Sequence, residues 1–313
     1  MELEFIRWLR EHIPADPRAK LGLNDDAAVI SLVGSPDVVV TTDLLTDGVD
    51  FRVGHDELRK IGRQALGANL SDLAAMAARP LAAFISVALP HSGPAGLGPL
   101  EMAIGVYEGL LPLAREFDIA IAGGDTNTYD GPLVISVTAL GQPLPCGALT
   151  RSGGKSGDWL MVTGSLGGSI LGHMFDFTPR VREAIVLHER YQLSAGIDIS
   201  DGLALDASRL ADASDCGALL FMDRVPVSRD ARELAKRDGA DDIENTALQH
   251  ALGDGQDFEL LFAVPPTQAQ VILRDRPLDC EVTHVGQLIA EPGLWQQQAD
   301  GCRLPLEATG WRH

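Results

Sequence analysis

The chain has 313 residues, 45% hydrophobic and 22% charged, a globular composition long enough for two ordinary domains. Asp and Glu number 44 against 25 Lys and Arg, for a formal net charge of −19. A surface that acidic repels nucleic-acid backbones, though not a small polyanion that arrives with metal cations.

The N-terminal stretch carries Phe5, Ile6, Leu9 and Ile13 at helical spacing, which predicts a short amphipathic helix stopped by Pro14 and Pro17. Charges break up its apolar residues, so it is not a signal peptide, and no apolar run is long enough for a transmembrane helix. A cytoplasmic chain is expected. Residues 27–32 and 38–42 read as strands, the second being the β-branched run VVVTT that ends at Asp43. Residues 56–78 have helical periodicity with a polar interruption, Asn69-Leu70-Ser71-Asp72. A strand over 82–89 and a helix over 99–117 follow. A short buried strand over 119–122 then runs into Gly123-Gly124-Asp125, with another strand over 133–140. Residues 141–158 are rich in Gly and Pro and lack apolar periodicity, as expected of a connection between domains. Beyond it, a strand over 159–163, the turn Gly164–Ser169 and a helix begin an alternation of strands and helices that continues to the end. The four cysteines have no CxxC spacing, which disfavours structural zinc and a disulfide framework.

Aspartates fall where apolar elements end or break: Asp25-Asp26 before an apolar segment, Asp43, Asp72, Asp125, Asp198 and Asp201. A single Asp after a strand is ordinarily a turn former or cap. Several such positions in one chain, with few Lys or Arg nearby, point instead to a shared site. Carboxylates near a core are costly unless paired or bound to metal, and hard oxygen donors suit Mg²⁺. Gly123-Gly124 and the turn 164–169 allow backbone N–H groups close to an anion, although glycine there also serves strand–helix packing. No Walker A, kinase HRD or DFG motif occurs, and no histidine or cysteine constellation suggests a nucleophile triad. A phosphotransferase whose acceptor is itself a phosphate needs no general base, because that oxygen is already anionic near neutral pH.

The segments NDDAAVI, VVVTTDLLTDGVDF, ALGANLSDLAAMAARP, IAGGDTN, ALTRSGGKSGDWLMVTGSLGG, IDISDGLALDASRL and GQDFELLF run almost the length of the chain. Together they resemble the thiamine-monophosphate kinase family, within the superfamily that includes aminoimidazole ribonucleotide synthetase. The resemblance implies a two-domain α/β (α+β) fold. Residues 1–145 would bind ATP and Mg²⁺ and form a β-barrel across a homodimer, and 146–313 would be a C-terminal α/β domain. It implies direct transfer of the γ-phosphoryl group of ATP to thiamine monophosphate, with several Mg²⁺ ions. The metal ligands implied are Asp26, Thr41, Thr42, Asp43, Asp72, Asp125, Asp198 and Asp201, with Asp43, Asp125 and Asp201 in the catalytic role. Gly124, Asp125, Arg151 and Ser200 are implied for ATP.

The departures from the family pattern lie on the acceptor side. Asp50 stands where a His is usual, and Gln256 replaces a Glu. Asp254 and Asn24 each replace a Gly, and Asn127 and Thr128 occupy the places of Thr and Arg. Asp50, Gln256 and the retained Trp311 are the expected acceptor contacts. A kinase acting on another small phosphorylated acceptor and a non-catalytic ATP-binding paralogue are the alternatives. No nucleic-acid or membrane partner is expected.

Overall fold

A computed structural model describes residues 17–21, 25–32, 34, 36–298 and 300–311. The helix expected at the N-terminus and the substitution at Asn24 lie outside these residues. Two sheets organise the molecule, and among the described residues eight α-helices cover them.

The first sheet has the order β1-β2-β3-β6-β4-β5. It is built from β1 (Ala19–Leu21), β2 (Ala28–Ile30), β3 (Val38–Thr46), β4 (Arg79–Pro90), β5 (Ala120–Tyr129) and β6 (Val134–Gln142). Helices α1 (Leu58–Ala75) and α2 (Pro99–Glu116) belong to this half. The β-branched run does not stop at Asp43. Strand β3 continues to Thr46, with Asp43 facing Val137 of β6, so this carboxylate sits in mid-strand. The polar interruption at 69–72 does not break α1 either. Asn69 and Ser71 are buried in a continuous helix, because α1 is enclosed on nearly every side. The strand expected over 119–122 is longer and far more exposed than its apolar start suggests. β5 passes through Gly123-Gly124-Asp125 to Tyr129 as a sheet-edge strand paired in parallel with β4.

The second sheet runs β13-β12-β9-β11-β7-β10-β8. It comprises β7 (Trp159–Thr163), β8 (Ala195–Asp198), β9 (Gly217–Phe221), β10 (Leu260–Val264), β11 (Val282–Ile289), β12 (Gly293–Gln297) and β13 (Arg303–Pro305). Its helices are α3 (His173–Asp176), α4 (Val181–Arg190), α5 (Leu203–Ala213), α6 (Arg229–Arg237), α7 (Ile243–Gly253) and α8 (Pro266–Asp275). The uninterrupted apolar strands follow from burial on both faces. In β10, Leu260, Phe262 and Val264 join the core that also contains Ile61, Leu66 and Leu70 of α1, whereas Leu261 and Ala263 join a second core beneath Leu203, Ala207 and Leu210 of α5. The first of these cores runs from one sheet to the other, with α1 as its spine.

Candidate active site

Three elements aim carboxylates at one point. Asp26 sits in the bend before β2, Asp72 lies in the last turn of α1, and Asp198 closes β8. One oxygen or more from each lies within 4.8 Å of the others. Burial pushes the Asp72 carboxyl well above its ordinary value, with Asp43, Asp198 and Asp26 adding repulsion and the Thr41 hydroxyl, which donates to Asp72, opposing it. Asp198 is likewise raised well above the ordinary range by burial and by Asp26, against a 2.6 Å hydrogen bond from the Ser71 hydroxyl. Asp43 is raised to about 6 by burial and by Asp50, and its Oδ2 has no hydrogen-bond partner among the described residues. Repelling, desolvated carboxylates beside hydroxyl oxygens, with no sulfur or imidazole among them, form a donor set that fits Mg²⁺. An orphaned buried carboxylate oxygen at Asp43 fits the same reading.

Strand alternation separates the neighbouring threonines. The Thr41 hydroxyl reaches Asp72, while the Thr42 hydroxyl turns to the exposed side and lies 3.0 Å from that of Thr138. Asp125 is exposed on β5 and stands outside the three-carboxylate group, its Oδ1 accepting from the Thr126 amide. Gly124 precedes it at a φ of 155°, where a Cβ would sit 1.8 Å from the Ile85 carbonyl oxygen, so no side chain fits.

Cations are nearer than the sequence suggests. The Arg151 guanidinium holds Asp26 through Nη2 at 2.5 Å and Nε at 3.1 Å, a two-pronged pair in which the Asp26 side chain is 2% exposed. Burial disfavours the Arg151 charge, but Asp26 more than compensates, so its pKa rises. Asp25 positions this arginine, its Oδ2 accepting from the Arg151 amide at 3.0 Å, and is itself raised to about 6 by burial and by Asp26. Asp201 pairs with Arg209, which also contacts Asp206 at 2.9 Å. Asp206 in turn accepts from the amides of Asp201 (3.0 Å) and Gly202 (3.1 Å), tying down the start of α5; burial and Asp201 raise it to about 7. Asp206 and Arg209 were not among the expected residues, and Asp25, singled out with Asp26 in the sequence, was not among the implied ligands. Asp206 had a signal, an acid one turn into the helix opened by Asp201-Gly202. Arg209 also had one, three residues after Asp206 and eight after Asp201. Arg151 was expected at the nucleotide, but its pairing with Asp26, 125 residues away, had no signal.

The glycine turn at 164–169 has its amides occupied by the protein itself. Gly167 N–H donates to Asp257 at 2.8 Å and Gly168 N–H to Asp254 at 3.4 Å, and the Ser169 hydroxyl donates to the Gly255 carbonyl at 2.7 Å. This turn therefore anchors the 254–257 loop. That loop and the C-terminal segment dock on consecutive residues. The Gln256 amide donates to the Ser200 carbonyl at 2.7 Å, and the Trp311 amide to that of Asp201 at 2.9 Å. The Ser200 hydroxyl contacts Asp198 at 3.4 Å, which joins this region to the carboxylates. Asp50 neighbours Asp43, and its Oδ2 accepts from the Thr46 amide at 2.7 Å, closing the turn after β3.

Residues 24–142 match the family model described as AIR synthase related protein, N-terminal domain. The thiamine-monophosphate kinase of Rhodopirellula baltica is 42% identical over 309 residues, covering 96% of this chain and 93% of that protein. That of Caulobacter vibrioides is 34% identical, covering 98% and 89%. Among solved structures, the thiamine-monophosphate kinase of Stenotrophomonas maltophilia K279a superposes with a TM-score of 0.73 at 31% identity, covering 96% of this chain and 95% of that one. AaThiL complexed with AMPPCP and TMP superposes with a TM-score of 0.81 at 23% identity, covering 100% and 96%. The fold is also that of the HypE–HypF complex structure, with a TM-score of 0.75 at 16% identity over 98% of this chain and 99% of the matched one. With near-complete coverage at 42% identity and the same two-sheet architecture, the chain belongs to the thiamine-monophosphate kinase family.

Proposed function

We propose that this protein transfers the γ-phosphoryl group of ATP to thiamine monophosphate, giving thiamine diphosphate and ADP, in a Mg²⁺-dependent reaction. The observation that carries this reading is the convergence of Asp26, Asp72 and Asp198, with Asp43 beside them, in a chain of this family. Asp26, Asp43, Asp72 and Asp198 would hold Mg²⁺, with the Thr41 hydroxyl beside Asp72, and Thr42, Asp125 and Asp201, which lie outside the three-carboxylate group, would serve further ions that arrive with the nucleotide. The bound cation would supply neutralisation of the polyphosphate charge. Arg151, Ser200 and Gly124 bind and orient ATP. The attacking group is a phosphate oxygen of the acceptor, so no general base is required, and alignment with charge compensation carries the rate. AaThiL with AMPPCP and TMP supports the pairing of nucleotide and acceptor on this fold.

Acceptor binding falls to Asp50, Gln256 and Trp311. The Trp311 indole stacks on the cationic thiazolium ring, an attraction of about 0.5–2 kcal/mol. ATP as co-substrate places the reaction in the cytoplasm, and among the described residues no helix is long and apolar enough to cross a membrane. The functional unit is a homodimer in which residues 1–145 build a shared barrel and 146–313 form the second domain. The test is chromatographic. Incubation with ATP, thiamine monophosphate and Mg²⁺ should yield thiamine diphosphate and ADP in equal amounts, and EDTA should abolish both. ADP and inorganic phosphate without thiamine diphosphate would mean that water is the acceptor and would overturn the assignment of thiamine monophosphate. Absence of both products would overturn the kinase reading.

A further inference from the structure

Gln64 is an unusual residue for its place. It lies in α1 with 1% of its surface exposed, on the face that also carries Arg63, Gly67 and Ser71. That face docks on the second half of the chain: Arg63 donates to the Phe177 carbonyl at 2.8 Å, the Phe177 ring fills the space over Gly67, and Ser71 holds Asp198. An apolar side chain such as Ile61, Leu66 or Leu70 of the same helix is buried at no hydrogen-bonding cost. An amide there needs partners. Gln64 has one, its Nε2 donating to Gln256 Oε1 at 3.3 Å, while its own Oε1 has no partner among the described residues. A buried amide retained with half its capacity unmet is explained by the contact it does make.

Its partner sits on strained backbone. Gln256 has a φ of 55° and Phe258 a φ of 52°, left-handed conformations that favour glycine. The loop is over-determined around them. Gln256 N–H and Phe258 N–H are bonded to the Ser200 and Ile199 carbonyls, Gly255 packs against Ser200, and the Phe258 ring stacks on Phe177 at a centroid distance of 4.1 Å. The backbone therefore fixes where the Gln256 side chain starts, and Gln64 alone, among the hydrogen bonds of the described residues, fixes where its amide ends. With Oε1 engaged, the free edge of that amide is its NH₂ group, which carries two donors.

We infer that Gln64 is a positioning residue, which locks the Gln256 amide so that it presents N–H donors to an acceptor atom, a ring nitrogen or phosphate oxygen, of the molecule being phosphorylated. The inference rests on the proposed contact between Gln256 and the acceptor, and it gives the first half of the chain a direct hold on acceptor specificity.

The test is a double-mutant cycle on the full-length protein, with Gln64→Met, Gln256→Ala and the double variant. Gln64→Met keeps the length and removes the amide. It should raise the KM for thiamine monophosphate three- to tenfold, with the KM for ATP unchanged and kcat within twofold. In the Gln256→Ala background it should have no further effect. Gln64→Asn, an amide too short to reach Gln256, should reproduce the KM change and serves if the methionine variant does not fold, as read by thermal melting. If Gln256→Ala raises the KM for thiamine monophosphate but neither Gln64 variant does, or if the two effects multiply independently, the positioning role is wrong while the acceptor contact stands. If Gln256→Ala leaves that KM unchanged, the acceptor contact is wrong and the inference falls with it.

Discussion

At the scale of single residues, the candidate site is a set of carboxylates held against their own repulsion, and that makes activity and stability separable. Asp43→Asn and Asp125→Asn are each expected to abolish thiamine diphosphate formation while leaving a cooperative melting transition. For Asp43 the stability change has a sign. Its folded-state value of about 6 exceeds the ordinary carboxylate value near 3.9, so the folded protein binds more protons than the unfolded chain between those values. The proton's stabilisation is full only below about pH 4 and is lost as pH rises from there through about 6. In EDTA, Asp43→Asn should therefore melt above the wild type at pH 8 and approach it as pH falls to about 4. Two half-buried histidines, His188 and His284, are shifted down by desolvation and disfavour acid pH in both proteins, so the difference between the two curves isolates the carboxylate. A mutant that melts below the wild type at pH 8 would contradict the electrostatic account. The aspartates were legible in the sequence because each interrupts an apolar element. The pairing of Arg151 with Asp26 was not, since it spans 125 residues, nor was the neutral contact of Gln64 with Gln256, which spans 192.

At the scale of elements, α1 carries the site. Its 58–75 span supplies Asp72 and Ser71 to the carboxylates and Gln64 to the loop at 256, so its placement sets theirs. That placement depends on backbone-to-backbone contact with α2. A Cβ on Gly62 would lie 1.9 Å from the Val106 carbonyl oxygen, and one on Gly109 would lie 1.8 Å from that of Arg59. Neither obstacle is a side chain that can swing away. Gly62→Ala should therefore force the helices apart, costing about 1–3 kcal/mol or more of stability. A drop in Tm together with a lower kcat would show that helix placement and site geometry are coupled, and an unchanged Tm would show that the contact is soft. Periodicity revealed that one helix lay here, with a polar interruption of its apolar pattern at 69–72. A polar residue inside a helix interrupts it only where water is the alternative partner. Here Ser71 is met by Asp198, and the Asn69 side chain donates back to the Ala65 carbonyl. Strand β5 misled in the opposite direction: its first residues are apolar, and the strand nevertheless continues through two glycines and five polar or aromatic positions along an open edge.

At the scale of the whole molecule, that open edge is the feature that remains unbalanced. Among the described residues β5 pairs with β4 alone, its residues 122–128 are exposed, and Leu44 and Phe84 of the same sheet are 64% and 41% exposed. An edge strand ten residues long is a template for further pairing, and proteins that keep one ordinarily cover it. Asp125 lies on this strand, away from the three carboxylates it is proposed to assist. A second copy of the chain related by a two-fold axis would cover the apolar face and bring β5 into a shared barrel. The protein is therefore expected to sediment as a dimer at micromolar concentration, where a stable assembly persists. Replacing exposed Phe84 by Lys places like charges beside one another across such an axis. That variant should shift the equilibrium to monomer and lose activity, with its melting transition retained. A wild type that sediments as a monomer, or a monomeric Phe84→Lys with full activity, would mean that the site is complete within one chain. Asp125 would then have to reach the carboxylates by movement of β5 itself.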